Sequence, residues 1–168
     1  MPPCFVVFPI FSVDSLPVQF YNAPNCRDRV VTNSRSTMFH SRLSELRGIS
    51  TFLEGFCSAA GVEREHCLRL NLVLEELFTN TVHHGHGGDS DAPVWMMLSA
   101  DEEGVHVIYE DNAPPFNPYA RLPEQSPDTT LEMRKIGGLG VLLTKELAAT
   151  RDYAYLFGRN RIRLAMRR

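Results

Sequence analysis

Leu68 to Gly85 reads LRLNLVLEELFTNTVHHG, a run of about five helical turns with no proline and no glycine before its last residue. At about 100° per residue, Cys67, Leu70, Leu74, Leu77, Phe78 and Thr81 fall on one side of a single predicted helix, while Glu76 and Asn80, four apart, stack away from them. The stretch therefore has a core face and a carboxylate-plus-amide face. His83 continues the polar line, and Gly85 stands where a left-handed helix stop is expected. Alone, Glu76 and Asn80 read first as a solvated face; Asp111 and the glycine-rich turn downstream change that reading.

Working outward, Ser44 to Ala60 places Leu46, Ile49, Phe52, Leu53 and Phe56 at helical intervals, and Gly61 ends that first helix. Downstream, GHGGDSDAP is a loop by composition. Val94–Ala100 and Val105–Asp111 flank DEEG as a predicted hairpin, and Asp111 opens DNAPPFNP at a strand end. Residues 114 to 130 carry Pro114, Pro115, Pro118, Pro123 and Pro127 with almost no period, as a lid would. Gly137-Gly138-Leu139-Gly140 then leads into VLLTKELAA, a second long helical pattern. Tyr153–Phe157 and Arg161–Met166 form a closing hairpin whose Ile162, Leu164 and Met166 alternate with Arg161 and Arg163. Hairpins with helices between them predict an α+β fold, one mixed and mostly antiparallel sheet covered on one face by helices.

With 168 residues, 43% of them hydrophobic, the chain has the size of one domain with a full core. A formal net charge of −3 leaves no basic footprint for nucleic acid. Cys4, Cys26, Cys57 and Cys67 lack metal-ligand or redox spacing and are expected as reduced cysteines of a cytoplasmic protein. No apolar run reaches the length of a membrane span, and the start MPPCFVVFPIF, without a basic region and broken by Pro9, is not expected to be a secretory signal. Residues 1–35, with Pro2, Pro3, Pro9, Pro17 and Pro24, are expected to form an extended or disordered tail ahead of a domain over 36–168, with Met38 as an alternative start.

Four groups have the chemistry a nucleotide site requires. Asp111 can accept from the adenine amino group, or simply cap its own turn. Asn80 offers a hard oxygen to Mg²⁺, and Glu76, one turn earlier, can polarise a hydroxyl. Glu75 points about 100° away. The glycines allow backbone N–H groups at a helix start to approach phosphates, with Arg134 and Lys135 close by in sequence. Neither the Rossmann nor the P-loop spacing is present, the H-H-x-H of residues 83–86 lacks a completing ligand set, and no nucleophile elbow supports hydrolase chemistry.

The order EELFTNTVHHG, YEDNAPPFNP, KIGGLGVLLTKEL and YLFGRNRIRLAM resembles the histidine-kinase-like ATPases, the GHKL superfamily, and within it the stand-alone anti-sigma-factor serine/threonine kinases of bacteria, over about Ser36 to Arg168. The resemblance implies a two-layer Bergerat α/β sandwich using ATP and Mg²⁺. It implies Glu76 as general base and Asn80 as magnesium ligand. The implied ATP contacts are Asn80, Asp111, Ala113, Lys135, Gly137, Gly138, Leu139 and Gly140. The implied partners are a sigma factor, held inactive, and a STAS-domain anti-anti-sigma protein, phosphorylated on serine or threonine; a homodimer through the sheet or first helix is expected by the same likeness, and neither direct nucleic-acid binding nor membrane insertion is. Ala113 departs from the D-x-G pattern of the family, and its methyl group is expected to restrict left-handed backbone conformations and to alter affinity. FHSRLSEL around His40 has the look of a phosphoacceptor box, but it lies too close to the Glu76 helix for a dimerisation hairpin. The competing class is a binding protein that sequesters a partner without phosphorylating it.

Overall fold

The computed structural model describes residues 33–119 and 150–167. The chain enters as strand β1 (Asn33–His40), passes a short 3-10 turn into helix α1 (Leu46–Ala60), and turns at Gly61 into helix α2 (Arg64–Asn80). Strands β2 (Pro93–Ala100) and β3 (Gly104–Asp111) follow as a hairpin, and β4 (Thr150–Leu156) and β5 (Arg159–Arg167) form another. The sheet order is β1-β2-β3-β5-β4, and every described pairing is antiparallel, where a mixed sheet was expected. The α+β class and the one-sided helical cover are as the patterning predicts.

Strand alternation explains the layers. Val94, Met96, Leu98 and Ala100 of β2, Val105, Val107 and Tyr109 of β3, and Ile162, Leu164 and Met166 of β5 all turn to one face and are buried. Against them lie Ile49, Leu53, Phe56 and Cys57 of α1 and Cys67, Leu70, Val73, Leu74, Leu77 and Phe78 of α2. A fully buried leucine or phenylalanine stabilises by about 1.5–3 kcal/mol, so this seam supplies most of what holds helices to sheet. Burial, with the neighbouring Cys67 thiol, pushes the Cys57 thiol well up. Gly61 adopts φ 65°, and the Val62 N–H returns to the Cys57 carbonyl at 2.9 Å, a left-handed helix stop.

Two expectations are corrected here. Strand β1 begins at Asn33, ahead of the domain start placed at 36, and its register with β2 runs from Asn33 opposite Ala100 to His40 opposite Pro93. Asn33 Nδ2 also donates to the Ala59 carbonyl at 2.9 Å, tying the strand to the end of α1. The sequence NSRSTMFH lacks a continuous apolar alternation because it lies at the sheet edge with half-exposed side chains. Residues 1–32, the remainder of the expected tail, lie outside the described residues.

The second correction concerns the end of α2. Thr81–Gly85 forms a π-helical turn, and the left-handed glycines in the loop beyond are Gly87 and Gly88, not Gly85. Gly85 is required for space instead: a Cβ there would stand 2.8 Å from the Cβ of Ala113.

Candidate functional site

The widened turn at the end of α2 and the facing ends of β3 and β5 border an open cleft. Leu77, Asn80 and Thr81 line one wall, Asp111 and Ala113 another, and Asn160 and Ile162 the floor. A π-turn inside a helix is a common mark of a functional position, and here it carries Thr81 toward the cleft. A second, smaller space lies at the other end of β3 and β5, among Val62, His66, Leu70, Val105, Met166 and Arg167.

Asp111 is the last residue of β3 and is 5% exposed. Its Oδ1 accepts from the Ala113 N–H at 3.0 Å and from Asn160 Nδ2 at 2.7 Å, and its Oδ2 accepts from Thr81 Oγ1 at 3.0 Å. Tyr109 donates its phenol proton to Thr81 Oγ1 at 2.8 Å, so the threonine hydrogen is committed to the carboxylate. Burial drives the Tyr109 phenol pKa well up and keeps that donor protonated. A carboxylate has about four acceptor positions, and among the described residues three are taken. The one left, on Oδ2, fits a single donor such as an exocyclic amino group. The turn-capping reading of Asp111 is met by Oδ1, while Oδ2 retains one acceptor position.

Asn160 is the residue sequence reasoning missed. It is 3% exposed, and its amide donates to Asp111 Oδ1, to the Ala113 carbonyl at 3.1 Å and to the Pro114 carbonyl at 3.2 Å. Its Oδ1 accepts from the Phe116 N–H at 3.0 Å and the Tyr153 phenol at 2.8 Å. Burial raises the Tyr153 phenol pKa as well. The signal was available: continuing the inward register of Met166, Leu164 and Ile162 two residues back reaches Asn160, a polar side chain on an apolar face. Thr81 was assigned to the core face without a role, although a hydroxyl there needs a partner.

On α2, Glu76 and Glu75 part as their angular separation predicts. Glu75 Oε1 accepts from Asn71 Nδ2 at 2.5 Å and from Ser50 Oγ of α1 at 3.4 Å, which makes it a strut between the helices. Glu76 has only Asn80 Nδ2 at 3.4 Å as a hydrogen-bond partner among the described residues, leaving its other oxygen and Asn80 Oδ1 without one. Asn80 lines the cleft, and an open amide oxygen beside a carboxylate is a donor set suited to a hard cation such as Mg²⁺. His83 and His84 are exposed at the end of the turn. Lys135, Gly137, Gly138, Leu139 and Gly140, with Arg134 and most of the expected lid, lie outside the described residues.

The only non-glycine residue with positive φ among the described residues is Phe157, so Ala113 needs no left-handed backbone. Its methyl group is 3% exposed and packs against Gly85, the glycine standing on the other side of the contact.

A helix bearing Glu76 and Asn80, a strand ending in Asp111 and an antiparallel sheet beneath them match a wider pattern. Residues 39–166 match the family model of the histidine kinase-like ATPase domain. The chain is 32% identical over 98 residues to the serine-protein kinase RsbW of Listeria innocua serovar 6a, covering 56% of this chain and 62% of that protein. The same identity and coverage are found with serine-protein kinase RsbW of Listeria monocytogenes serotypes 4a and 4b. The aligned segment thus spans about three-fifths of the length of these relatives. Helix, strand and cleft together with the match over 39–166 place the chain in the histidine kinase-like ATPase domain family.

Proposed function

We propose that this chain is an ATP-dependent serine/threonine protein kinase that acts in the cytoplasm as an anti-sigma factor, sequestering a sigma factor and phosphorylating a STAS-domain anti-anti-sigma protein. The single observation that carries the kinase reading is the division between the adjacent glutamates: among the described residues, Glu75 is spent on Asn71 and Ser50, while Glu76 is paired only with Asn80, which lines the cleft. The likeness to serine-protein kinase RsbW supports the substrate class and partners. A homodimer belongs to the same proposal.

ATP would supply the γ-phosphoryl group, its bond to the β–γ bridging oxygen breaking as ADP leaves, and Mg²⁺ would neutralise the phosphate charge. Asp111 Oδ2 accepts from the adenine amino group, and Thr81 and Asn160 hold the carboxylate in place for it. Asn80 offers Oδ1 to the cation. Glu76 orients the serine hydroxyl and takes its proton as that oxygen attacks, a role worth about 10²- to 10⁴-fold. Lys135, Gly137, Gly138, Leu139 and Gly140 are proposed phosphate contacts on the strength of their sequence pattern.

The test is transfer of labelled γ-phosphate from ATP to the serine of the cognate STAS protein, with ATP affinity measured in parallel. Glu76→Gln should lower transfer by about 10²- to 10⁴-fold with ATP still bound. Asn80→Ala should harm both. Glu75→Gln should loosen the α1–α2 contact while leaving transfer within a few-fold. If the wild type binds ATP and captures the sigma factor but transfers nothing, the chain is a sequestering module and the kinase reading is wrong.

A further inference from the structure

The outer face of α2 carries two leucines that the fold does not use. Leu68 is 56% exposed and Leu72 50%, although Leu70, Leu74 and Leu77 of the same helix are buried. At about 1.5 Å per residue, Leu72 lies about 6 Å and Leu68 about 12 Å along the axis from Glu76, on the same i, i+4 line. The Arg69–Glu65 ion pair lies beside them, so the ridge is apolar with a charged border. That is the anatomy of a recognition surface, an apolar centre inside a polar rim.

We propose that this Leu68–Leu72 ridge docks the protein substrate whose serine is presented to Glu76, an inference that rests on the kinase reading above. The occupant follows from geometry. A specific interface buries about 800 Å² on each partner, a disc of roughly 16 Å radius. A folded protein that brings a hydroxyl to Glu76 therefore covers Leu72 and Leu68. The nucleotide approaches from the other flank, through the cleft lined by Asn80, Thr81 and Asp111. A second copy of this chain seated on the ridge would shut the substrate hydroxyl away from Glu76. The partner surface that fits is an apolar patch set about 6–12 Å from the reactive serine.

The experiment uses the full chain carrying Leu68→Gln and Leu72→Gln together, with the STAS-domain protein of the source organism as probe. Glutamine matches leucine closely in helix propensity and both positions are exposed, so the melting temperature should hold. The expected result is a ten- to hundredfold rise in KM for the STAS protein, the size of a lost apolar anchor, with kcat and ATP affinity within twofold. If the double variant melts early, Leu72→Gln alone carries the test, with at least a threefold rise expected. Unchanged KM in a chain that transfers phosphate overturns the docking surface and leaves the kinase reading standing. A fall in sedimenting mass on substitution identifies a second copy as the occupant and also overturns it. Absence of transfer by the wild type to a STAS protein it binds removes both readings, a result distinct from unchanged KM.

Discussion

Replacing Asn160 by alanine is the most demanding test of how the cleft is held. The substitution removes the 2.7 Å bond to Asp111 Oδ1, two bonds to the carbonyls of Ala113 and Pro114, and the acceptor for the Phe116 N–H and the Tyr153 phenol. A hydrogen bond to a charged group contributes about 1.5–3 kcal/mol, and each buried group left unpaired costs about 1–3 kcal/mol. The cleft opens to solvent, and water replaces part of this, which sets the expected loss at about 2–4 kcal/mol. For a domain of this size that lowers Tm by roughly 10 °C. Asp111 keeps two of its three donors, and the adenine contact should weaken about tenfold through loss of orientation. Thermal unfolding and calorimetry with ATP and Mg²⁺ measure the two effects separately. Asn160→Asp sharpens the test by setting a second carboxylate against Asp111, and it should destabilise more than Asn160→Ala. An Asn160→Ala protein that melts within 2 °C of the wild type and binds ATP equally well would refute the account of Asp111 as a residue held by its neighbours.

Asp111→Asn removes the charged acceptor proposed for adenine and should weaken ATP binding by about 1.5–3 kcal/mol in calorimetry. Gly85→Ala drives a methyl group to 2.8 Å from the Ala113 Cβ and should destabilise by about 1–3 kcal/mol, with Ala113→Gly restoring most of the loss in a double-mutant cycle; additive losses would show that the two do not touch. In the β2–β3 turn, burial pushes the Asp101 carboxyl up, but His106 at 2.8 Å and the N–H groups of Glu103 and Gly104 outweigh it and hold its pKa below the ordinary 3.8. Its stabilising contribution is therefore complete above 3.8 and lost as pH falls through the lower folded value, so acid unfolding should be less steep in Asp101→Asn. A chain begun at Met38 cuts β1 in the middle of its pairing with β2, and it should melt well below one begun at Asn33.

The parts of this site that were legible in the sequence are those with a strong local period. Glu76 and Asn80 stand out from LRLNLVLEELFTNTVHHG because a 3.6-residue repeat assigns every position a direction, and Asp111 because it ends an alternating strand. Strand β1 was not legible because its side chains at the edge of the sheet alternate only weakly in burial. Gly85 was misread because it was assigned a backbone conformation, whereas what governs it is its distance from the Cβ of Ala113, 28 residues on. Such a contact is tertiary, and no window along the chain contains it.

Asn160 lies between these cases, and the way it is placed explains why the cleft has a fixed floor. The adjacent acids of β3 face opposite sides of the sheet: Asp111 turns into the cleft, and Glu110 turns to the other face at 9% exposure. Glu110 is bound by Arg161 Nε and lies 3.4 Å from Arg159 Nη1, and the Arg159 guanidinium stacks 3.9 Å over the Trp95 ring. The residue between those arginines is Asn160, which turns inward to Asp111. Three consecutive residues of β5 thus hold two consecutive residues of β3 from both faces, in the register that sets Glu110 opposite Arg161 and Asp111 opposite Asn160. A one-residue slip would bury the arginines in the core and expose Asn160, a cost that fixes the pairing. The carboxylate proposed to meet adenine is therefore oriented by the sheet before nucleotide arrives, and binding need not supply that ordering. Breaking the outer half alone tests this. Arg161→Gln removes a contact on the face away from the cleft, and it should nonetheless weaken ATP binding several-fold by loosening Asp111; unchanged affinity would show that Asn160 and Thr81 suffice from the inner face.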